Sequence, residues 1–390
     1  MATVPSIRLT ARGAARVRGG HPWVHRPEVP NAPPPGADAI AIADEQGRPL
    51  GSALWCPEPA PIALRVYSRE ETFVPFDDAL ISERVSTAIL RRASLLPGIE
   101  ARRLVHAEAD GLPGLFVDAY KDAMVIQTST AALDRRAARI AALLVNDHGA
   151  RMVVRRDDGS IRDFEGLPRE RMVLSGRGGT LTQYREGPST FEVDLLSDKK
   201  TGAFLDQRDN HLRVGSLARG RVLDAFSYHG GFALAAAAYA DEVVAIEENP
   251  QAVVRAAHNA ELSGRTNVKF HEADAFAMLR QLEARGETFD LVVIDPPALT
   301  KRAAVPQAQR AYQELALRGM RLTAPGGFMC FCSCSGKITP ELFEELLVRA
   351  ARDAGRIVQV AERRGAGPDH PVLLGVPETE YLKCWILAAV

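Results

Sequence analysis

Val222-Leu-Asp-Ala-Phe-Ser-Tyr-His-Gly-Gly231 decides the fold. A short apolar strand ends in an acid, the chain turns on two glycines, and an alanine-rich helix over 231–240 follows. The rhythm repeats downstream. Val243-Val-Ala-Ile-Glu247 precedes a helix over 250–262, and Val268-Lys-Phe-His271 precedes one over 275–284. Leu291–Asp295 and Phe328–Cys332 continue the series as strands. Such alternation predicts a Rossmann-like α/β domain, a parallel sheet covered on both faces, with ligands at the carboxyl ends of its strands.

The turn after Asp224 lacks the Gly-x-Gly-x-x-Gly spacing of a pyrophosphate-binding loop. An acid at a strand end with one tight glycine turn suits a cofactor with an amino acid head. S-adenosylmethionine offers an ammonium for Asp224 to neutralise and carries no phosphate. Gly230 and Gly231 let backbone approach the ligand. Glu247 ends the second strand, where a carboxylate can accept both ribose hydroxyl protons. Asp274, after the third strand, can accept from an adenine amino group. A lone acid at a strand end usually caps a helix; three in succession ahead of Asp295-Pro-Pro297 make a pattern.

Upstream, the chain reads as two smaller modules. Residues 1–72 hold short β segments, Ala39–Ala43, Pro49–Trp55 and Ile62–Tyr67, bounded by glycine and proline, which fit a small β-barrel. Residues 73–188 fit an α+β module. It has a helix over 77–96 capped by Asp77 or Asp78, strands Gly114–Asp118 and Ala123–Thr128, a helix over 133–146 and a strand Arg151–Arg155. Residues 189–390 form the Rossmann-like domain.

Composition sets bounds. A chain of 390 residues is long for one domain. No run of eighteen apolar residues predicts a membrane span, and the start lacks the apolar core of a signal peptide. Five cysteines, three crowded at 330, 332 and 334, read as thiols of a reducing, cytoplasmic setting. The net charge of −1 is uninformative, but residues 1–26 carry five arginines and two histidines with no acid, as phosphate-binding surfaces do.

The strings that carry a family resemblance are long. They are Arg18-Gly-Gly-His-Pro-Trp23, Arg103–Leu115, Glu165-Gly-Leu-Pro168, Lys200-Thr-Gly-Ala-Phe-Leu-Asp-Gln-Arg208, Phe226–Phe232, Asp295-Pro-Pro297, Ser333-Cys-Ser-Gly336, Asp369-His-Pro371 and Tyr381-Leu-Lys383. The chain resembles, nearly end to end, the bacterial 23S ribosomal RNA 5-methylcytosine methyltransferases. These are built from a PUA domain, a small central domain and a Rossmann-like catalytic domain. The resemblance implies S-adenosylmethionine as methyl donor and 23S ribosomal RNA or its large-subunit precursor as partner, and leaves room for a homodimer. It places Lys200–Arg208, with Gln207, beside the cofactor. Gln207 then joins Phe226, Ser227, Tyr228 and Gly230 of the turn, and Asp224, Glu247, Asp274 and Asp295, as the expected cofactor-binding set. His229 and Ala203 depart from the family, which usually has threonine and a bulkier aromatic there.

Carbon methylation of cytosine needs a thiolate to add to C6, so that C5 can attack the sulfonium methyl. It also needs a base out of its stack. Cys334, before Ser335-Gly336 at the strand end, is the expected nucleophile. Asp295 is the expected contact to the N3 and amino edge, its turn held by two prolines of fixed φ. Cys330 and Cys332 read as small buried hydrophobes, Cys56 and Cys384 as packing, and three alternating cysteines lack the turn that wraps zinc. His370 reads equally as a base or a hinge. Three rivals compete. An exocyclic-amine methyltransferase usually has an aromatic where Ala298 stands. A guanine-N7 enzyme needs no cysteine. A non-catalytic RNA-binding assembly factor would not need the acids and thiol.

Overall fold

The computed structural model describes residues 4–301 and 304–390, which form two compact units. One gathers the chain up to Thr182 with residues 193–203 and 368–377; the other holds residues 183–192, 204–367 and 378–390.

The second unit carries a seven-stranded sheet: β1 Arg221–Ala225, β2 Glu242–Glu247, β3 Val268–Glu272, β4 Phe289–Ile294, β5 Thr323–Ser333, β6 Val358–Arg364 and β7 Lys383–Ala389. Its order is β3-β2-β1-β4-β5-β7-β6. The first five strands are parallel, as the alternation predicts. The expectation of a wholly parallel sheet needs correction, because β7 inserts antiparallel between β5 and β6. Its run Lys383-Cys-Trp-Ile-Leu-Ala-Ala389 is almost wholly apolar, so periodicity could not give its direction. Successive strand residues enter opposite cores. Leu223, Val292 and Phe331 pack on one face, Val222, Val293 and Cys330 on the other. Burial on both faces explains why these strands read as continuous apolar runs.

Helices α1 Arg208–Gly215, α2 Gly231–Ala237, α3 Pro250–Leu262, α4 Ala275–Ala284, α5 Val305–Leu322 and α6 Pro340–Ala354 complete the unit. The caps of α3 and α6 follow from sequence. Asn249 accepts from Gln251 N–H ahead of Pro250, and Thr339 accepts from Leu342 N–H ahead of Pro340.

The first unit holds two five-stranded sheets. One joins Ser6–Arg8, Ala39–Ala43, Pro49–Trp55, Ile62–Ser68 and Trp23–His25 in that spatial order. The other joins Glu170–Ser175, Met152–Asp157, Ala123–Thr128, Leu115–Tyr120 and Ala101–His106. Asp77 caps the helix Asp78–Leu95 through Leu80 N–H. The helix expected over 133–146 is broken into Ala131–Asp134 and Ala137–Asn146. At the break, Arg136 turns back to the Ala132 carbonyl at 2.7 Å and to Asp38 at 3.1 Å.

The basic N-terminal stretch is less basic in space than in sequence. Arg12 and Arg16 both pair with Glu28, and Arg18 pairs with Asp44. Arg26 donates to the carbonyls of Cys56 and Ala60. Asp44 is buried; against that desolvation, the Arg48 N–H and guanidinium and Arg18 hold its carboxyl down to about 2. The counter-charges, Glu28 at the end of a short helical turn and Asp44 just past a strand, lie outside a window on residues 1–26.

Candidate active site and cofactor pocket

β2, β1 and β4 are parallel neighbours, so their carboxyl ends bring Glu247, Asp224 and Asp295 to one rim. This rim lies where the strand order reverses, the usual ligand position in such sheets.

Asp224 is 1% exposed, and neither carboxylate oxygen has a hydrogen-bond partner among the described residues. The Ala233 amide approaches it without closing a hydrogen bond. Burial, opposed by the charge on His211 and reinforced by Asp295, pushes its carboxyl up to about 8. The Ser227 hydroxyl is likewise buried without a partner. Orphaned buried polar groups cost folding free energy, so the pair points to an external cation or donor.

The turn above Asp224 is left-handed at Phe226 (φ 67°), Tyr228 (φ 48°) and Gly230 (φ 87°). The two non-glycine residues store about 1 kcal/mol or more each. Three hydrogen bonds hold them there. Ser227 N–H donates to the Ile246 carbonyl (2.9 Å), Tyr228 N–H to the Glu247 carboxylate (3.0 Å), and Gly230 N–H to the Ser227 carbonyl (2.8 Å). The Tyr228 ring stacks on His229 at 3.7 Å and meets Phe204 edge-on at 5.1 Å.

Glu247 therefore has a structural task the sequence did not reveal. One oxygen accepts Tyr228 N–H and the other Asn249 N–H, each at 3.0 Å. A carboxylate oxygen has two lone pairs, so each retains one for a ligand hydroxyl. Asp274 is exposed and caps α4, accepting Ala277 N–H at 2.7 Å. Its helix-cap role is thus present whatever else it binds.

Gln207 is buried and aimed. Its Nε2 donates to Asp295 Oδ2 (3.1 Å), and its Oε1 accepts from Asn210 Nδ2 (2.6 Å). Asn210 in turn accepts from Arg364 Nε (2.9 Å) and donates to the Gly365 carbonyl (2.9 Å). This chain fixes the amide orientation and hence the Asp295 rotamer. Burial and the Cys332 sulfur, opposed by Gln207, hold the Asp295 carboxyl well above the usual range.

The cysteines separate into two groups. Cys334 alone of the five is part-exposed. Cys330, Cys332 and Cys384 are buried with their Sγ atoms within 4.8 Å of one another. Cys384 thus replaces Cys334 in the trio expected along one strand face, because the strand ends at Ser333 and the cross-strand neighbour of Cys332 is Cys384. Burial pushes the Cys332 thiol up. Cys334 interacts electrostatically with Tyr312 and Lys383 instead.

Two elements escaped the sequence reading. His211 Nδ1 lies 2.6 Å from Glu186 Oε1. Burial opposes its charging, but Glu186, then Asp295 and Asp224, raise its proton affinity above the ordinary value. Gly231 leaves room for it: a Cβ there would fall 2.4 Å from His211 Cε1. The Tyr312–Lys383 surround of Cys334 is the other. The only sequence hints were the second glycine of the turn and the Tyr381-Leu-Lys383 string.

Residues 172–380 match the family model of S-adenosylmethionine-dependent methyltransferases. The chain belongs to this family. The amino acid head of S-adenosylmethionine fits the orphaned Asp224 and Ser227 oxygens. Residues 7–69 match a PUA-like domain. Among relatives of this methyltransferase, the ribosomal RNA large subunit methyltransferase I of Tolumonas auensis is 32% identical over 382 residues, covering 95% of this chain and 96% of that protein. That of Shewanella amazonensis is 34% identical over 375 residues, covering 93% and 94%. A SAM-dependent methyltransferase from Streptococcus mutans shares the fold at TM-score 0.84 and 18% identity, covering 98% of this chain and 99% of its own. A methyltransferase crystallised with SAH does so at TM-score 0.85 and 16% identity, covering 98% and 99%. Among the described residues no helix is long and apolar enough to cross a membrane.

Proposed function

We propose that this methyltransferase forms 5-methylcytosine in 23S ribosomal RNA, or its large-subunit precursor, through a Cys334 adduct at cytosine C6. The observation that carries the reading is the part-exposed thiol of Cys334, just past the end of β5, one strand from Asp295. The names of the two relatives, which cover more than nine-tenths of the chain, support a large-subunit RNA substrate.

In this reading Asp224 and Ser227 receive the cofactor's amino acid head, and Gln207, Phe226, Tyr228 and Gly230 bound the same pocket. Glu247 accepts from the ribose hydroxyls and Asp274 from the adenine amino group. S-adenosylmethionine, when bound, supplies an electrophilic methyl group. The Cys334 thiolate adds to C6 of an unstacked cytosine, forming a C–S bond and placing the former C5–C6 π pair on C5. After C5 is methylated, loss of its proton to a base re-forms the double bond and expels the thiolate. Asp295, whose burial raises its affinity for a proton, contacts the N3 and amino edge and offsets the charge that builds on the ring.

The test is a trap. Fluorine at C5 cannot leave as a cation, so RNA containing 5-fluorocytosine should leave wild-type protein and cofactor joined in a denaturation-resistant complex. Cys334→Ala should give no complex and no turnover while still binding S-adenosylmethionine. Near wild-type methylation of cytosine by Cys334→Ala, or an adduct on Cys332, would overturn the assignment.

A further inference from the structure

Cys334 lies between two serines that are tied down. Ser333 donates from its hydroxyl to the Tyr312 hydroxyl oxygen (3.1 Å), and the Tyr312 and Ser335 hydroxyls are 2.9 Å apart. Ser335 N–H returns to the Ser333 hydroxyl at 3.3 Å. On the other side, β7 sets Lys383 directly opposite Ser333 in antiparallel register. Lys383 Nζ reaches past that pair and donates to the Ser335 and Tyr381 carbonyls, each at 2.9 Å. The residues on both sides of Cys334 are thus bound to, or paired with, one lysine.

This lysine is 4% exposed. Its two acceptors are carbonyls, which satisfy donors without neutralising charge. Among the described residues no carboxylate lies within ion-pair distance of it. A buried ammonium in that position is costly unless an anion faces it. Burial lowers the proton affinity of Lys383 below its ordinary value, and the groups whose negative charge offsets this are Cys334 first and Glu380 second. Tyr312, the titratable group on the α5 side, is held neutral beyond its ordinary range by burial. The natural counter-ion of Lys383 is therefore the Cys334 thiolate.

We propose that Lys383 is the positioning residue that keeps Cys334 deprotonated and aims it from the rim. The proposal rests on Cys334 as the nucleophile. Cys334 gives its proton to solvent, and Lys383 keeps all three of its own throughout. When sulfur adds to C6, the negative charge leaves the lysine's neighbourhood for the ring. When the C5 proton is lost, the same ammonium favours expulsion of the thiolate, so Lys383 assists both adduct formation and release.

Native alkylation reads this thiol selectively, since the other four cysteines are buried. Iodoacetamide labelling of Cys334 in the full-length protein, followed by mass spectrometry across pH 5.5–10, should show a midpoint below the ~8.5 of a free cysteine. Lys383→Met should move the midpoint upward and slow labelling at pH 7 about tenfold, the change one pH unit produces. Lys383→Arg should restore most of the rate. S-adenosylmethionine affinity serves as the folding control for both. A wild-type midpoint at or above that of free cysteine overturns the proposal without any variant, and so does an unchanged profile in Lys383→Met. If the profile moves as expected while Cys334→Ala still methylates cytosine, the lysine–thiolate pair stands and the nucleophile assignment falls.

Discussion

Asp224→Asn should flatten the pH dependence of this protein's stability. The Asp224 carboxyl is 1% exposed, and its affinity for a proton rises from the ordinary 3.8 to about 8. A folded-state value above the unfolded one means that folding takes up a proton. That contribution is fully present below pH 3.8, is lost progressively as pH rises, and is gone above about 8. Each unit is worth ~1.36 kcal/mol, so the cofactor-free wild type should lose about 2–4 kcal/mol relative to Asp224→Asn between pH 5 and 8. Asparagine leaves its own amide unpartnered at a cost of ~1 kcal/mol, but that offset does not vary with pH and leaves the slope intact. Urea unfolding at half-unit steps of pH measures it. A linked effect is calorimetric. The ligand's ammonium favours the carboxylate, so binding S-adenosylmethionine at pH 7 should release roughly one proton, seen as a heat that depends on the buffer. Asp224→Asn should release none and bind at least tenfold more weakly. Parallel stability slopes in the two proteins, or equal affinity, would refute the account of Asp224 as a carboxyl awaiting a cation.

Other outcomes follow from the same geometry. Glu247→Ala should weaken S-adenosylmethionine binding by about 1.5–3 kcal/mol, and Glu247→Gln by less because one oxygen survives for Tyr228 N–H; equal losses by calorimetry would mean the turn, not the ribose, is the cause. Gly231→Ala should destabilise the protein by about 1–3 kcal/mol in thermal unfolding, because its Cβ would lie 2.4 Å from His211. Arg16 and Arg18 each pair with a buried carboxylate, Glu28 and Asp44, so the cleaner RNA probe is Arg12, 82% exposed, which only shares Glu28 with Arg16. Arg12→Glu should weaken RNA binding and reduce its salt slope while leaving cofactor affinity unchanged; an unchanged slope would make this face a merely solvated one.

The sequence alone determined the alternation of strands and helices, because burial on both faces demands apolar runs and the helix starts at Asn249, Asp274 and Thr339 carry their own caps. It placed Asp224, Glu247, Asp274 and Asp295 at strand ends for the same reason, since the turn signals that follow them are local. It could not say which acids were already engaged. Glu247 is bound by two backbone N–H groups and Asp274 caps a helix, while Asp224 has nothing, and only the packed structure separates these cases. The direction of β7 was also beyond it. A strand buried on both faces pairs either way by composition, and the antiparallel choice rests on where the chain returns from β6. That choice sets Lys383 opposite Ser333 and Cys384 opposite Cys332. In both cases the partners lie some fifty residues apart and meet only through strand register, a long-range property that no local pattern encodes.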